Sequence, residues 1–250
     1  MKIKLTFLSL CFALFSVAQD YRPKNDGVKT NHKNFTAITN VKIYVNHNNV
    51  IENGTLLIQN GLVVESGQSV NLPINSYVID GSGNYIYPSF IDVYSTYGIK
   101  DAKPVPGYGR STQYDSNRSG FYWNDHIRAE HNAISDFEFD EKMAKALLMQ
   151  GFGLVNTHKE DGIVRGTGAL IALDLNGDEA MRILSNKSGQ YLSLSRSVQS
   201  RQAYPTSIMG STALLRQLYY DADWYKKGNI KTTDLTLEAF NQNTNLTQIF

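Results

Sequence analysis

The sequence predicts an α/β protein in which a small β unit is followed by a layer of alternating strands and helices. Three observations carry that expectation. An Asn60-Gly61 dipeptide separates two apolar β-type runs, the pattern changes after Pro88, and beyond residue 135 helical stripes alternate with short strand-like runs.

The chain begins with Lys2 and Lys4, then an uncharged apolar run from Leu5 to Val17 that stops at Ser16-Val17-Ala18 before Gln19-Asp20. This three-part pattern predicts a secretory signal over residues 1–18 and a protein exported to the periplasm or the extracellular space. An uncleaved anchor would need about 20 apolar residues, so no stable membrane span is expected after cleavage. Cys11 lies inside the apolar run behind the bulky Leu10, and no lipid is expected on it. Cleavage after Ala18 would remove the single cysteine of the 250-residue chain, leaving no disulfide and no thiolate nucleophile. The 24 basic and 23 acidic residues become 22 and 23 once Lys2 and Lys4 are taken away. That balance points away from nucleic acid and from anionic membrane surfaces.

Residues 19–34 are polar, charged and without apolar periodicity, which predicts a flexible leader. Order is expected from Phe35. Ala37 to Val45 alternates apolar and polar residues, and Thr55 to Gln59 and Leu62 to Ser66 flank Asn60-Gly61 as a hairpin. Tyr77 to Gly83 and Tyr85 to Pro88 complete a small β domain over 35–88. Ser89 to Tyr94 reads as a short buried strand. About 40 residues rich in Gly, Pro, Asn and Tyr follow, roughly Gly98 to Asn132, too long for a plain connection. A helix is predicted next, capped by Ser135 or Asp140, with Phe139, Met143, Ala146 and Leu147 on one stripe and its end at Gly151. Phe152 to Thr157 and Gly168 to Leu175 read as strands. Thr206 to Tyr220 reads as a helix with Leu214, Leu215, Leu218 and Tyr219 on its apolar side, and another starts over Asp234 to Phe240.

The stretch Val78-Ile79-Asp80-Gly81-Ser82-Gly83-Asn84-Tyr85-Ile86-Tyr87-Pro88-Ser89-Phe90-Ile91-Asp92 resembles the β-to-barrel junction of the amidohydrolase superfamily, particularly its imidazolonepropionase-like members. The helix ending Met149-Gln150-Gly151, the strand Phe152 to Asn156 and Gly166-Thr167-Gly168-Ala169 are similar to later parts of that family. The resemblance implies a small β-sandwich-like domain followed, over residues 89–250, by an incomplete amidohydrolase-like portion, a partial (β/α) TIM-type barrel. It also implies a hydrolase of non-peptide carbon–nitrogen bonds that uses zinc or another divalent metal.

In that family two histidines at i and i+2 follow the junction aspartate, because alternate strand residues share a face and two imidazoles there meet one ion. Here Asp92 is followed by Tyr94 and Thr96 at those positions. A phenol of ordinary pKa about 10 and a neutral hydroxyl are poor ligands near neutral pH, so no metal cofactor is expected on this chain. The family's later ligands are a lysine, two histidines and an aspartate, and about 250 residues are typical of a full barrel alone. The sequence is therefore expected to be the front piece of a longer enzyme or to depend on an amidohydrolase partner domain or chain.

Five histidines are present as candidate substitutes. His32 falls in the leader and His47 in a β-domain turn. His126 and His131 are five apart, about 140° around a helix, and make a poor ligand pair. His158, beside Glu160 and Asp161, shares with Asp92 a position at a barrel mouth, and a surface-loop histidine is the competing reading. The glycine cluster from Gly162 to Gly168 lacks nucleotide-binding spacing and reads as turn glycines. The aromatic set Tyr108, Tyr114, Phe121, Tyr122 and Trp123, with Arg110 and Arg118, either forms a binding loop for a sugar or peptide or packs over the barrel mouth. Three readings result: a carbon–nitrogen hydrolase completed from elsewhere, a non-catalytic partner domain, and a surface-binding module built on Tyr108, Arg110, Tyr122 and Trp123.

Overall fold

The computed structural model of the protein describes residues 35–116, 118–228 and 232–250. The expected signal segment 1–18, the leader 19–34 and His32 lie outside them. The chain divides into two compact units between Pro88 and Ser89.

In the first unit, Asn60 and Gly61 take φ of 52° and 76°, the left-handed pair a two-residue hairpin demands, and join β2 (Asn49–Gln59) to β3 (Leu62–Gly67). The strand β1 (Thr36–Asn46) runs antiparallel to β2, while β4 (Tyr77–Asp80) and β5 (Tyr85–Ile86) both run parallel to β1. The two short strands share one edge of β1, which is irregular near Asn40. There φ is 56°, and the side-chain amide donates to Asp80 Oδ1 at 3.0 Å. Among the described residues the unit is one five-stranded mixed sheet rather than two sheets facing each other as a sandwich. Its buried apolar side chains are Ala37, Val41, Ile43 and Leu57. Gly54 is required beside them, since a Cβ there would stand 2.9 Å from both Ile43 Cδ1 and Ile51 Cγ2.

The second unit opens with β6 (Phe90–Ser95), α1 (Glu141–Met149) and β7 (Phe152–Thr157), with β6 and β7 parallel. Asp140, not Ser135, caps α1, its carboxylate accepting from the Met143 amide at 2.9 Å. The buried face of α1 centres on Ala144 and Leu147, with Met143 and Ala146 exposed. Alternation then stops. The strand β9 (Ala169–Ala172) lies antiparallel to β7, and after the single helical turn α2 (Glu179–Arg182), β10 (Ile183–Ser185) lies antiparallel to β9. A parallel return would need a crossover of a dozen or more residues. The residues between β7 and β9 instead contain β8 (Val164–Thr167), which leaves this sheet and pairs with β11 (Gln190–Leu192), itself flanked by β12 (Gln248–Ile249). The result is a four-stranded sheet ordered β10-β9-β7-β6 and a three-stranded sheet ordered β12-β11-β8. The described residues hold one parallel strand-helix-strand unit and no closed barrel.

The helix α3 (Ile208–Lys226) runs six residues beyond its expected end, and α4 (Leu235–Asn243) packs against it. Leu214, Leu215 and Leu218 of α3 join Tyr122, Ile127, Ile163, Leu192 and Phe240 in one buried cluster, while Tyr219 is half exposed and meets Phe240 edge-on at 4.9 Å. A second cluster, around Tyr97, Phe137, Val155, Ile171 and Leu173, lies under the four-stranded sheet. No helix among the described residues is long and apolar enough to cross a membrane. Leu218 is fully buried, so Leu218→Ala should lower the unfolding free energy by about 2–5 kcal/mol in urea titration. A loss below about 1 kcal/mol would show that this core does not hold α3 in place.

Candidate functional site

The parallel strands β6 and β7 end side by side, and the His158 amide donates to the Ser95 carbonyl at 2.9 Å just past them. The carboxyl ends of parallel strands are where α/β folds assemble sites. Tyr94 comes from β6, His158 follows β7, and β8 and β11 bring Arg165 and Tyr191 to the same point. The His158 ring stacks on Tyr191 at 3.8 Å with 6° between planes, and Tyr94 meets the His158 ring edge-on at 4.4 Å. Arg165 Nη1 donates to Tyr94 Oη at 2.6 Å and stands 3.2 Å from His158 Nε2. Its Nε reaches the Gly162 carbonyl at 3.3 Å, and Glu160 lies at the margin, 3.9 Å from Nη2.

A guanidinium has only donors, so the Nε2 that faces it is the acceptor and the imidazole proton sits on Nδ1. That Nδ1 is buried without a hydrogen-bond partner. Burial and the Arg165 charge together push the His158 pKa down to about 4, which keeps the ring neutral. His158 is thus not a surface-loop side chain but one of the most fully buried residues in the chain.

The other residues singled out in the sequence are dispersed. Asp92 accepts from the Tyr94 amide at 3.1 Å and so shapes the end of its own strand. Thr96 is exposed and contributes its carbonyl to the Ile99 amide at 3.0 Å. His47 is exposed. His126 and His131 are not on a helix. His126 is buried, accepts from the Ser197 amide at Nδ1, 3.1 Å away, and is held near pKa 4 by burial and by Arg196. His131 lines a polar cavity that has Arg165 on its wall as well.

The aromatic stretch does not act as one surface. Tyr122 is in the core and its hydroxyl donates to Asp221 Oδ2 at 2.5 Å, whereas Tyr108 is fully exposed and Arg110 is exposed. Trp123 stacks with Tyr204 at 6.4 Å and approaches Tyr114 at 5.2 Å, and these three line a groove of about 380 Å³. Sequence reasoning missed Arg165 and Tyr191. The available signal for Arg165 was a charged residue in the run Ile163-Val164-Arg165-Gly166-Thr167-Gly168, whose glycines read as turn glycines.

The donors gathered at the strand ends are a phenol, a guanidinium and one neutral imidazole. This set does not fit a divalent metal, because a guanidinium cannot ligate and its charge repels a cation. Among the described residues no group of three His, Cys, Asp or Glu side chains is arranged to hold a metal ion.

No protein-family model and no curated protein matches the sequence. Solved structures do. An amidohydrolase from Thermotoga maritima MSB8 is 19% identical, with a TM-score of 0.62 over 83% of this chain and 55% of that one. A prolidase complexed with N-methylphosphonate-L-proline is 18% identical, with a TM-score of 0.30 over 50% of this chain and 26% of that one. The likeness to the Thermotoga protein shows that this chain has an amidohydrolase-type fold. It spans about half the length of that protein.

Titration provides a direct check on the buried imidazoles. Proton NMR should show the His126 and His158 rings neutral down to about pH 4, while an unfolded histidine titrates near 6.5. With the folded pKa values depressed, the unfolded state binds more protons between those limits. Stability should therefore be full above about pH 6.5 and fall as pH drops toward 4. Ring resonances that titrate near 6.5 in the folded protein would contradict the buried, neutral assignment.

Proposed function

We propose that this chain is an amidohydrolase-type unit, of the imidazolonepropionase-like kind its junction resembles, that does not hydrolyse carbon–nitrogen bonds by itself. The observation that carries this reading is Arg165, whose guanidinium bonds Tyr94 and faces His158 at the end of the parallel strands. A catalytic centre of the metal-dependent kind places a cation-binding donor set there, and this one presents a fixed positive charge.

On this reading the chain contributes the β unit and the first strands of a partial barrel to a larger assembly, completed by an amidohydrolase partner domain or chain. The strand β6 is an edge of its sheet and leaves Phe90, Ile91 and Val93 exposed, which suits a neighbour that adds strands or covers the face. The pattern of residues 1–18 supports export, so the assembly would work in the periplasm or outside the cell. After incubation with zinc and desalting, elemental analysis should find far less than one ion per chain, with no turnover of carbon–nitrogen test substrates. One tightly held ion per chain would overturn this reading.

A second reading, a surface-binding module, is favoured by the Tyr114, Trp123 and Tyr204 groove, whose aromatic faces suit a sugar ring or an aromatic peptide side chain. If it holds, Trp123→Ala should abolish a hit found in a glycan or peptide screen. A screen without hits on the intact chain would count against it.

A further inference from the structure

A second cavity, of about 270 Å³, lies in the unit beginning at Ser89 and is lined by Arg128, Glu130, His131, Lys159, Asp161 and Arg165 among others. Its charges are not balanced in pairs. Glu130 is already bound by Arg118 Nη1 and by the Thr236 hydroxyl at 2.8 Å. Asp161 accepts from the Val198 amide at 2.8 Å and from the Ser197 hydroxyl. Both carboxylates thus bond other donors, and neither forms a direct ion pair with Arg128 among the described residues, though both act on it through space.

The cations keep donors in reserve. Arg128 bonds the Asp125 carbonyl at 3.1 Å through Nε and Gln199 Oε1 at 2.8 Å through Nη1, both neutral acceptors. Among the described residues it makes no direct ion pair, and its two bonds use Nε and Nη1. Lys159 uses one of its three donors on Asp136 at 2.6 Å. His131 Nε2 is buried without a hydrogen-bond partner, 3.7 Å from Asp136. Burial, and after it the neighbouring Arg118, hold Arg128 below its ordinary pKa, and the charges of Asp161, Glu130 and Asp125 offset only part of that cost.

We propose that this cavity binds the oxyanion group, carboxylate or phosphate, of a small molecule through Arg128 and Lys159, with Arg165 and His131 on its wall. Unpaired planar guanidinium donors beside an ammonium are the chemistry that recognises such groups. A water molecule occupies about 30 Å³ in the liquid, so the cavity has room for an oxyanion with a short organic remainder and not for a polymer. The proposal does not depend on the non-catalytic reading of the chain, because its two principal donors, Arg128 and Lys159, take no part in the Tyr94, Arg165 and His158 cluster.

The test is calorimetric titration of the whole chain at low ionic strength with inorganic phosphate and, separately, with succinate. Saturable binding of one or both is expected, and the arm that binds identifies the oxyanion. Arg128→Gln and Lys159→Gln should each weaken it by about tenfold or more, while Lys42→Gln, in the first unit, should leave it unchanged. The same titration followed by NMR on the unaltered protein should move the His131 ring resonances, so the outcome does not rest on the variants folding. Absence of saturable binding of both anions, unmoved His131 resonances, or affinity retained in the two cavity variants would each overturn the assignment.

Discussion

The arrangement of the second unit rests on a close backbone approach between residues 124–132 and β8. Arg128 donates its amide to the Val164 carbonyl at 2.8 Å, Ile163 to the His126 carbonyl at 2.8 Å and Thr167 to the His131 carbonyl at 2.9 Å. The approach is so tight at Gly166, with φ at 82°, that any Cβ would collide with the His131 carbonyl oxygen. This contact turns what would be a loose connection into an added strand-like segment. It also determines which side chains meet, since Arg165 and Arg128 are carried toward the same region from opposite sides of the contact.

Once that segment is docked, electrostatics follows from which partners are already taken. Arg118 is drawn to Glu130, Lys159 to Asp136, and Asp161 is held by the Ser197 hydroxyl and a backbone amide. Arg165, only slightly exposed, is left to bond a phenol, a carbonyl and a neutral imidazole. A buried guanidinium satisfied by neutral acceptors keeps its full charge, and that charge is felt strongly where water is scarce. It is the second-largest cause, after burial, of the low His158 pKa.

The parts of the fold that were legible in the sequence are those fixed by local chemistry. Asn60-Gly61 favours a tight left-handed turn. The sequence marked the start of α1 by two candidate caps, Ser135 and Asp140, of which the aspartate is used, and the start of α4 near Asp234, whose side chain caps it. The parallel pairing of β6 and β7 around α1 followed from strand-helix-strand order. What could not be read depended on partners far along the chain. The antiparallel turn of β9 is set by β8 leaving for another sheet. Tyr122 looked like a loop aromatic but is buried by α3 and α4, about a hundred residues later, through Asp221 and Thr236. His126 and His158 carry nothing local to show that segments from elsewhere in the chain bury them, and Arg165 lies in a run whose glycines read as turns.

These observations bear jointly on positions 94 and 96. A histidine pair there would require a cation between the rings, whereas the neighbouring Arg165 supplies a cation that cannot be shared with a metal. A phenol resolves the conflict, because Tyr94 Oη accepts the Arg165 donor while its ring edge packs on His158. Thr96 is exposed and accepts from the Ile99 amide through its carbonyl, outside this cluster. The tyrosine, the arginine and the neutral histidine therefore form one interdependent set. Imidazole at 94 alone would remove a phenol acceptor from a buried guanidinium without creating a metal site, so the tyrosine at 94 and the charge of Arg165 are two aspects of the same local arrangement.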